Sequence, residues 1–100
     1  MHRDHPVVDY PTVVDDSTQL IDVREPHELE ETGTLPGARN IPLGDLPVRA
    51  GELNPAQRVV VLCRSGARST AACEALTAAG FADVVNLAGG MLAWKEGTNP

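Results

Sequence analysis

The fold depends on one stretch of seven residues, Cys63-Arg64-Ser65-Gly66-Ala67-Arg68-Ser69. Directly before it stands the most hydrophobic run of the chain, Val59–Leu62, whose β-branched residues predict a buried strand. Directly after it, apolar residues recur at helical spacing and predict a helix over residues 69–79. The sequence therefore predicts a buried strand, a tight polar loop and a helix, with a cysteine at the first position of the loop.

Such a loop suits an anion, because its backbone N–H groups converge and the following helix adds its positive end. Gly66 allows the backbone to curl, while Arg64 and Arg68 supply two fixed positive charges. A helix N-terminus disfavours cations, so two arginines there indicate that an anion binds among them. In this environment the pKa of Cys63 is expected to fall below the free value of about 8.5. The alternative is that Cys63 is a small buried hydrophobe and the arginines are solvated.

The remaining chain alternates short apolar runs with helical patterns. Strands are predicted at residues 6–9 (an edge strand), 20–23, 38–41, 59–62 and 84–87, and helices at 26–33, 69–79 and 91–96, with a weakly helical stretch at 43–53. This alternation predicts an α/β fold with a parallel sheet covered on both faces. Ligands of such sheets bind beyond the carboxyl ends of the strands, where Asp22-Val23-Arg24, the cysteine loop and Gly89-Gly90 are all expected.

Length and net charge limit the number of domains, the location and the partners that the sequence predicts. The 100 residues predict one domain over 1–100, with frayed ends at 1–5 and 97–100. No apolar run approaches the length of about 18 residues that predicts a membrane span, and the N-terminus lacks the apolar core of a signal peptide. We therefore expect a cytoplasmic protein. A net charge of −6 argues against nucleic acid or an anionic membrane as partner.

The two cysteines do not form a disulfide scaffold. Cys73 is expected in the core of the helix that follows the loop, and a disulfide to Cys63 is disfavoured in a reducing compartment. Metal binding is not expected, because His2 and His5 lie at the chain end and His27 has no cysteine or histidine at ligand spacing.

Four blocks together resemble the single-domain rhodaneses, a family of sulfurtransferases. They are Leu20–Pro26, Gly33–Pro42, Val61–Ser69 and Asn86–Trp94, in the family's order and spacing, and the resemblance runs from Pro6 to Lys95. It implies a rhodanese-like five-stranded parallel sheet flanked by helices on both faces. One position departs from the family pattern, because Thr34 stands where the family often has histidine.

The resemblance also implies roles for individual residues. Cys63 matches the nucleophile that carries a persulfide, and the substrate-binding loop is matched by Arg64, Ser65, Gly66, Ala67, Arg68 and Ser69. Asp22 and Arg24 are expected to brace the loop rather than touch substrate, and Trp94 is expected in the core. No metal or organic cofactor is implied.

The implied activity is transfer of sulfur from a small anionic donor such as thiosulfate to cyanide, a thiol or a protein acceptor. Two alternatives stay open. One is a persulfide carrier or partner-binding module with little free turnover. The other is an oxyanion-handling phosphatase or arsenate reductase, but these carry a C-x5-R loop, whereas Cys63 to Arg68 is C-x4-R and the next residue is Ser69.

Overall fold

The computed structural model describes residues 2–98, which form five strands and four α-helices. The strands are β1 (Arg3–Pro6), β2 (Gln19–Asp22), β3 (Arg39–Asn40), β4 (Val59–Leu62) and β5 (Val84–Ala88). The α-helices are α1 (Pro26–Thr32), α2 (Leu46–Arg49), α3 (Ala67–Ala78) and α4 (Gly90–Thr98). Short 3-10 segments cover Val7–Thr12, Leu43–Asp45 and Ala50–Glu52.

All five strands form one parallel sheet in the order β1-β5-β4-β2-β3. The central strand β4 is fully buried, and its successive side chains enter different hydrophobic clusters. Val59 and Val61 pack with residues of α2 and α3, whereas Val60 and Leu62 pack with Met91 of α4. Because both faces are covered, β4 is apolar at every position instead of alternating. The predicted fold class is confirmed.

The sheet places the ends of three strands side by side. Asp22 at the end of β2 is in register with Leu62 at the end of β4, and Val61 is in register with Asn86 of β5. The residues that follow these strands therefore meet at one edge, where Val23 N–H donates to the Leu62 carbonyl at 2.9 Å. This edge carries Arg24, Cys63 and the glycine pair, as predicted from connectivity.

The N-terminal prediction was wrong. Residues 1–5 were expected to fray and an edge strand was expected at 6–9, but Arg3–Pro6 pair in parallel with β5 and Val7–Thr12 form a 3-10 segment. Met1, the first residue of the predicted frayed end, lies outside the described residues. Backbone pairing with β5 satisfies the N–H and C=O groups of β1 that face it, so this mostly exposed edge strand needs no apolar pattern. At the other end α4 continues to Thr98, and the rest of the predicted frayed end, 99–100, lies outside the described residues.

Other predicted positions differ only in detail. Helix α3 begins at Ala67 and ends at Ala78, whereas residues 69–79 were predicted, and Ala79 is exposed. Cys73 is fully buried as expected. Trp94 is only half-buried and packs edge-on against Tyr10, with ring centroids 5.2 Å apart. Within residues 2–98 no helix combines the length and apolar character that crossing a membrane requires.

Candidate active site

Cys63 follows β4 and lies beneath its loop, with 1% of its surface exposed. The backbone N–H of Gly66 donates to the Cys63 sulfur at 3.0 Å, and the Ser69 hydroxyl oxygen lies 3.3 Å from the same sulfur. The Ser69 hydroxyl also lies 3.0 Å from the Gly66 carbonyl, to which it donates. A thiol at this position can donate to Ser69, whereas a thiolate can accept from Ser69 once that hydroxyl turns toward it.

Two opposing effects set the pKa of Cys63. Burial is the largest single effect and acts to raise the pKa. Hydrogen bonds to Ser69, through its hydroxyl and its N–H, and to the N–H groups of Gly66 and Ser65 act to lower it, and together they prevail. The pKa of Cys63 is therefore below its ordinary value, in the predicted direction. The leading stabilisers of the thiolate are neutral donors of the loop rather than the two arginines.

Gly66 produces the turn that aims these donors. It precedes α3 with a φ of +117°, which a residue with a side chain rarely adopts. Its carbonyl accepts from the Thr70 N–H at 3.0 Å and from the Thr70 hydroxyl at 2.7 Å. The Gly66 carbonyl is thereby fixed to the first turn of α3 while its N–H points at the Cys63 sulfur.

Helix α4 supports the loop from the other side. Met91 N–H donates to the Cys63 carbonyl at 2.9 Å, and Leu92 N–H donates to the Arg64 carbonyl at 3.0 Å. A Cβ atom on Gly90 would lie 2.5 Å from both of these carbonyl oxygens. Only glycine therefore lets α4 approach the cysteine loop this closely. The glycine pair was predicted at this edge of the sheet, but its contact with the loop had no signal in the sequence.

Arg68 does not stand free in the loop. Its two terminal nitrogens donate to the two carboxylate oxygens of Glu28 in α1, at 2.6 and 2.8 Å. This pairing lowers the pKa of Glu28 to about 2 and raises the pKa of Arg68. Arg68 stands in the same loop as Cys63, and the charge of Cys63 also contributes to the raised pKa of Arg68. Glu28 is the site residue that sequence reasoning missed, because no local spacing relates residues 40 positions apart.

Asp22 and Arg24 form a buried ion pair behind the site, with their side chains 0% and 2% exposed. Arg24 also donates to the Thr32 hydroxyl and to the Gly33 carbonyl, both at 2.8 Å. Thr34, which replaces the family's frequent histidine, donates to Asp22 at 2.7 Å. The side-chain bonds of the pair thus go to the end of α1 and the two residues after it, rather than to residues 63–69. Its connection with the cysteine loop runs through α1, which carries Glu28.

Arg64 is exposed, and its side chain makes no hydrogen bond or ion pair within the described part of the chain. It borders a small cleft of about 80 Å³ beside the loop. The cleft is also lined by Arg24, Glu28, Glu31, Thr32, Met91, Leu92 and Lys95. Among residues 2–98 no group of three or more histidine, cysteine or acidic side chains is arranged to hold a metal ion.

Comparisons with known proteins agree with this geometry. The model of the rhodanese-like domain family matches residues 12–97. A sulfurtransferase from Allochromatium vinosum is 43% identical over 77% of this chain and 71% of its own length. A putative sulfur carrier protein from Bacillus subtilis is 40% identical over 84% of this chain and 45% of its own length.

Among solved structures, a rhodanese-related protein from Thermoplasma volcanium superposes with a TM-score of 0.85. It is 31% identical in sequence, and the superposition covers 99% of this chain and 96% of that one. The family match spans strands β2 to β5, the cysteine loop and most of α4. This chain belongs to the rhodanese-like domain family.

Proposed function

We propose that this protein is a sulfurtransferase that moves a sulfane sulfur from a small anionic donor to a thiol acceptor through a persulfide on Cys63. The observation that carries this proposal is the Cys63 sulfur, which has a lowered pKa and lies at the focus of the loop donors Gly66 and Ser69. A stabilised thiolate is the nucleophilic form of cysteine. The relatives named for sulfur transfer and sulfur carriage support the same chemistry.

The reaction has two half-reactions, as covalent catalysis requires. With thiosulfate as donor, the Cys63 thiolate attacks the outer sulfur, a new S–S bond forms, and sulfite leaves with the electron pair of the broken bond. The loop N–H groups that faced the thiolate then face the persulfide, while the exposed Arg64 attracts the incoming anion. An acceptor thiolate next attacks the outer sulfur of the persulfide, which restores the Cys63 thiolate. No cofactor enters either step.

The proposal is tested by the mass of the intact protein after incubation with thiosulfate. We expect the wild-type mass to rise by one sulfur atom and to return to its original value on addition of cyanide or a small thiol. The Cys73→Ser variant should behave in the same way, because Cys73 is fully buried and its pKa is raised to about 12. The Cys63→Ser variant should gain no sulfur, since a hydroxyl is a far poorer nucleophile toward sulfur. Two results would refute the assignment: sulfur added to Cys73 instead of Cys63, or no sulfur added to the wild type by any sulfane donor.

A second candidate function is a carrier that accepts one sulfur and passes it only to a partner protein. The relative from Bacillus subtilis named as a sulfur carrier favours this candidate. The same experiment distinguishes the two functions, because a carrier would load on Cys63 but would release its sulfur only slowly to small thiols.

A further inference from the structure

The charges around the Cys63 sulfur are almost balanced. Three arginines lie at the edge of the sheet that carries Cys63, namely Arg24, Arg64 and Arg68. Two of them form ion pairs with carboxylates. Arg24 is paired with Asp22 in the interior at 2.8 Å, and Arg68 is paired with Glu28 through two bonds. Within the described residues Arg64 alone of the three keeps an unpaired charge. Glu31 and Lys95, which line the cleft beside the loop, add one charge of each sign. The site therefore holds about one net positive charge.

We propose that Glu28 sets the charge preference of the site, so that it favours sulfur donors carrying one negative charge over dianionic donors such as thiosulfate. This inference rests on the proposed function and names the donor class within it. Glu28 is a specificity-determining residue, because it touches Arg68 and acts on the donor through charge alone.

The ion pair between Glu28 and Arg68 is expected to stay intact when the donor binds. The Glu28 side chain is 17% exposed and the Arg68 side chain 36% exposed, so the pair is partly shielded from water. Both carboxylate oxygens are bonded to the guanidinium, which is the geometry of a strong charge-assisted pair. A dianion that used Arg68 directly would have to displace Glu28 and lose both bonds. A monoanion can instead be held by the loop N–H groups together with Arg64.

Two donors that differ by one charge allow a direct test. Thiosulfate is a dianion, whereas methanethiosulfonate, in which a methyl group replaces one oxygen, is a monoanion. The chemical step is the same for both: the Cys63 thiolate bonds to the outer sulfur and the donor S–S bond breaks. The electron pair of that bond leaves with sulfite in the first case and with methanesulfinate in the second. Total charge is conserved in each reaction, and no oxidant, reductant or further reactant is needed.

The test is the ratio of kcat/KM for thiosulfate to that for methanethiosulfonate, measured with cyanide as acceptor. In Glu28→Gln the amide oxygen can still accept from Arg68, so the arginine stays in place while one negative charge is lost. We expect this ratio to rise about tenfold, the size expected for one charge several ångströms away in a partly hydrated site. Because both donors are measured on one protein sample, partial misfolding cancels from the ratio.

Glu30→Gln is the matched control. Glu30 lies in the same helix and is exposed, but it does not line the cleft and makes no bond to Arg68. Its ratio should stay near that of the wild type. An unchanged or lower ratio in Glu28→Gln, or an equal rise in both variants, would overturn the role of Glu28 while leaving sulfur transfer intact. If neither donor places sulfur on wild-type Cys63, the proposed function itself fails.

Discussion

At the scale of single residues, the reactivity of Cys63 depends on hydrogen bonds more than on neighbouring charges. The Ser69 side chain is the leading group that lowers its pKa, ahead of the backbone donors of the loop. Ser69 itself is fully buried between the sulfur and the Gly66 carbonyl. A neutral hydroxyl held in this position stabilises the thiolate without adding to the net charge that a donor meets.

Ser69→Ala should therefore raise the pKa of Cys63, because the thiolate loses a donor while its burial is unchanged. The measurement is the rate of alkylation by iodoacetamide as a function of pH. It is made in a Cys73→Ser background, so that Cys63 is the one thiol whose reaction is followed. We expect the background protein to show a midpoint below the free-cysteine value of about 8.5, and the Ser69→Ala protein to show a higher midpoint. A midpoint that does not move would mean that the backbone N–H groups alone stabilise the thiolate.

At the scale of elements, α4 is placed to hold the cysteine loop in shape. Its first N–H groups donate to the Cys63 and Arg64 carbonyls, and these bonds require the close approach that Gly90 permits. With these carbonyl oxygens bonded to α4, the N–H groups that follow them in the loop remain available to the sulfur. Gly90 thus supports the loop although it lies more than 20 residues from it in the sequence.

Gly90→Ala should push α4 away from the loop, since the new Cβ would meet two carbonyl oxygens at 2.5 Å. We expect persulfide formation to be slower and the pH midpoint of Cys63 alkylation to be higher. The control is Gly80→Ala, which carries a similar backbone strain at a φ of +99° but has open space around the added Cβ. Strain of this kind costs about 1–2 kcal/mol. If both variants lose stability equally and neither changes the midpoint, α4 has no role in positioning the loop.

At the scale of the whole molecule, local patterns predicted the fold well and long-range pairings poorly. The buried strands β2, β4 and β5 were predicted within a residue or so, because burial on both faces demands continuous apolar runs. Strand β1 was misplaced, since an exposed edge strand is held by backbone bonds that leave no side-chain pattern. The cysteine loop was recognisable because its residues are contiguous. Glu28 was not, because only the folded chain brings α1 to Arg68.

The ion pair between Glu28 and Arg68 also makes the stability of the fold depend on pH. The pKa of Glu28 falls from 4.5 to about 2 on folding, chiefly through its hydrogen bonds to Arg68. A carboxyl whose pKa is lower in the folded state stabilises that state above its unfolded pKa, and this stabilisation is lost as pH falls through the folded value. The contribution of Glu28 should therefore be complete above about pH 5 and should disappear between pH 4.5 and about 2.

Urea unfolding of the wild type and Glu28→Gln measures this contribution. Because Arg68 is partly exposed and screened by solvent, we expect a difference of only about 1 kcal/mol in the free energy of unfolding at pH 7. The difference should shrink at pH 3, because the Glu28 carboxyl is then mostly protonated in the unfolded chain while it stays mostly ionised in the folded protein. The difference in free energy of unfolding between the wild type and Arg68→Ala should also be smaller at pH 3 than at pH 7, since this variant removes the other half of the ion pair. A difference that stays constant across this range would mean that Glu28 supports the fold through packing rather than charge. The donor preference assigned to Glu28, which acts through charge, would then lose this support.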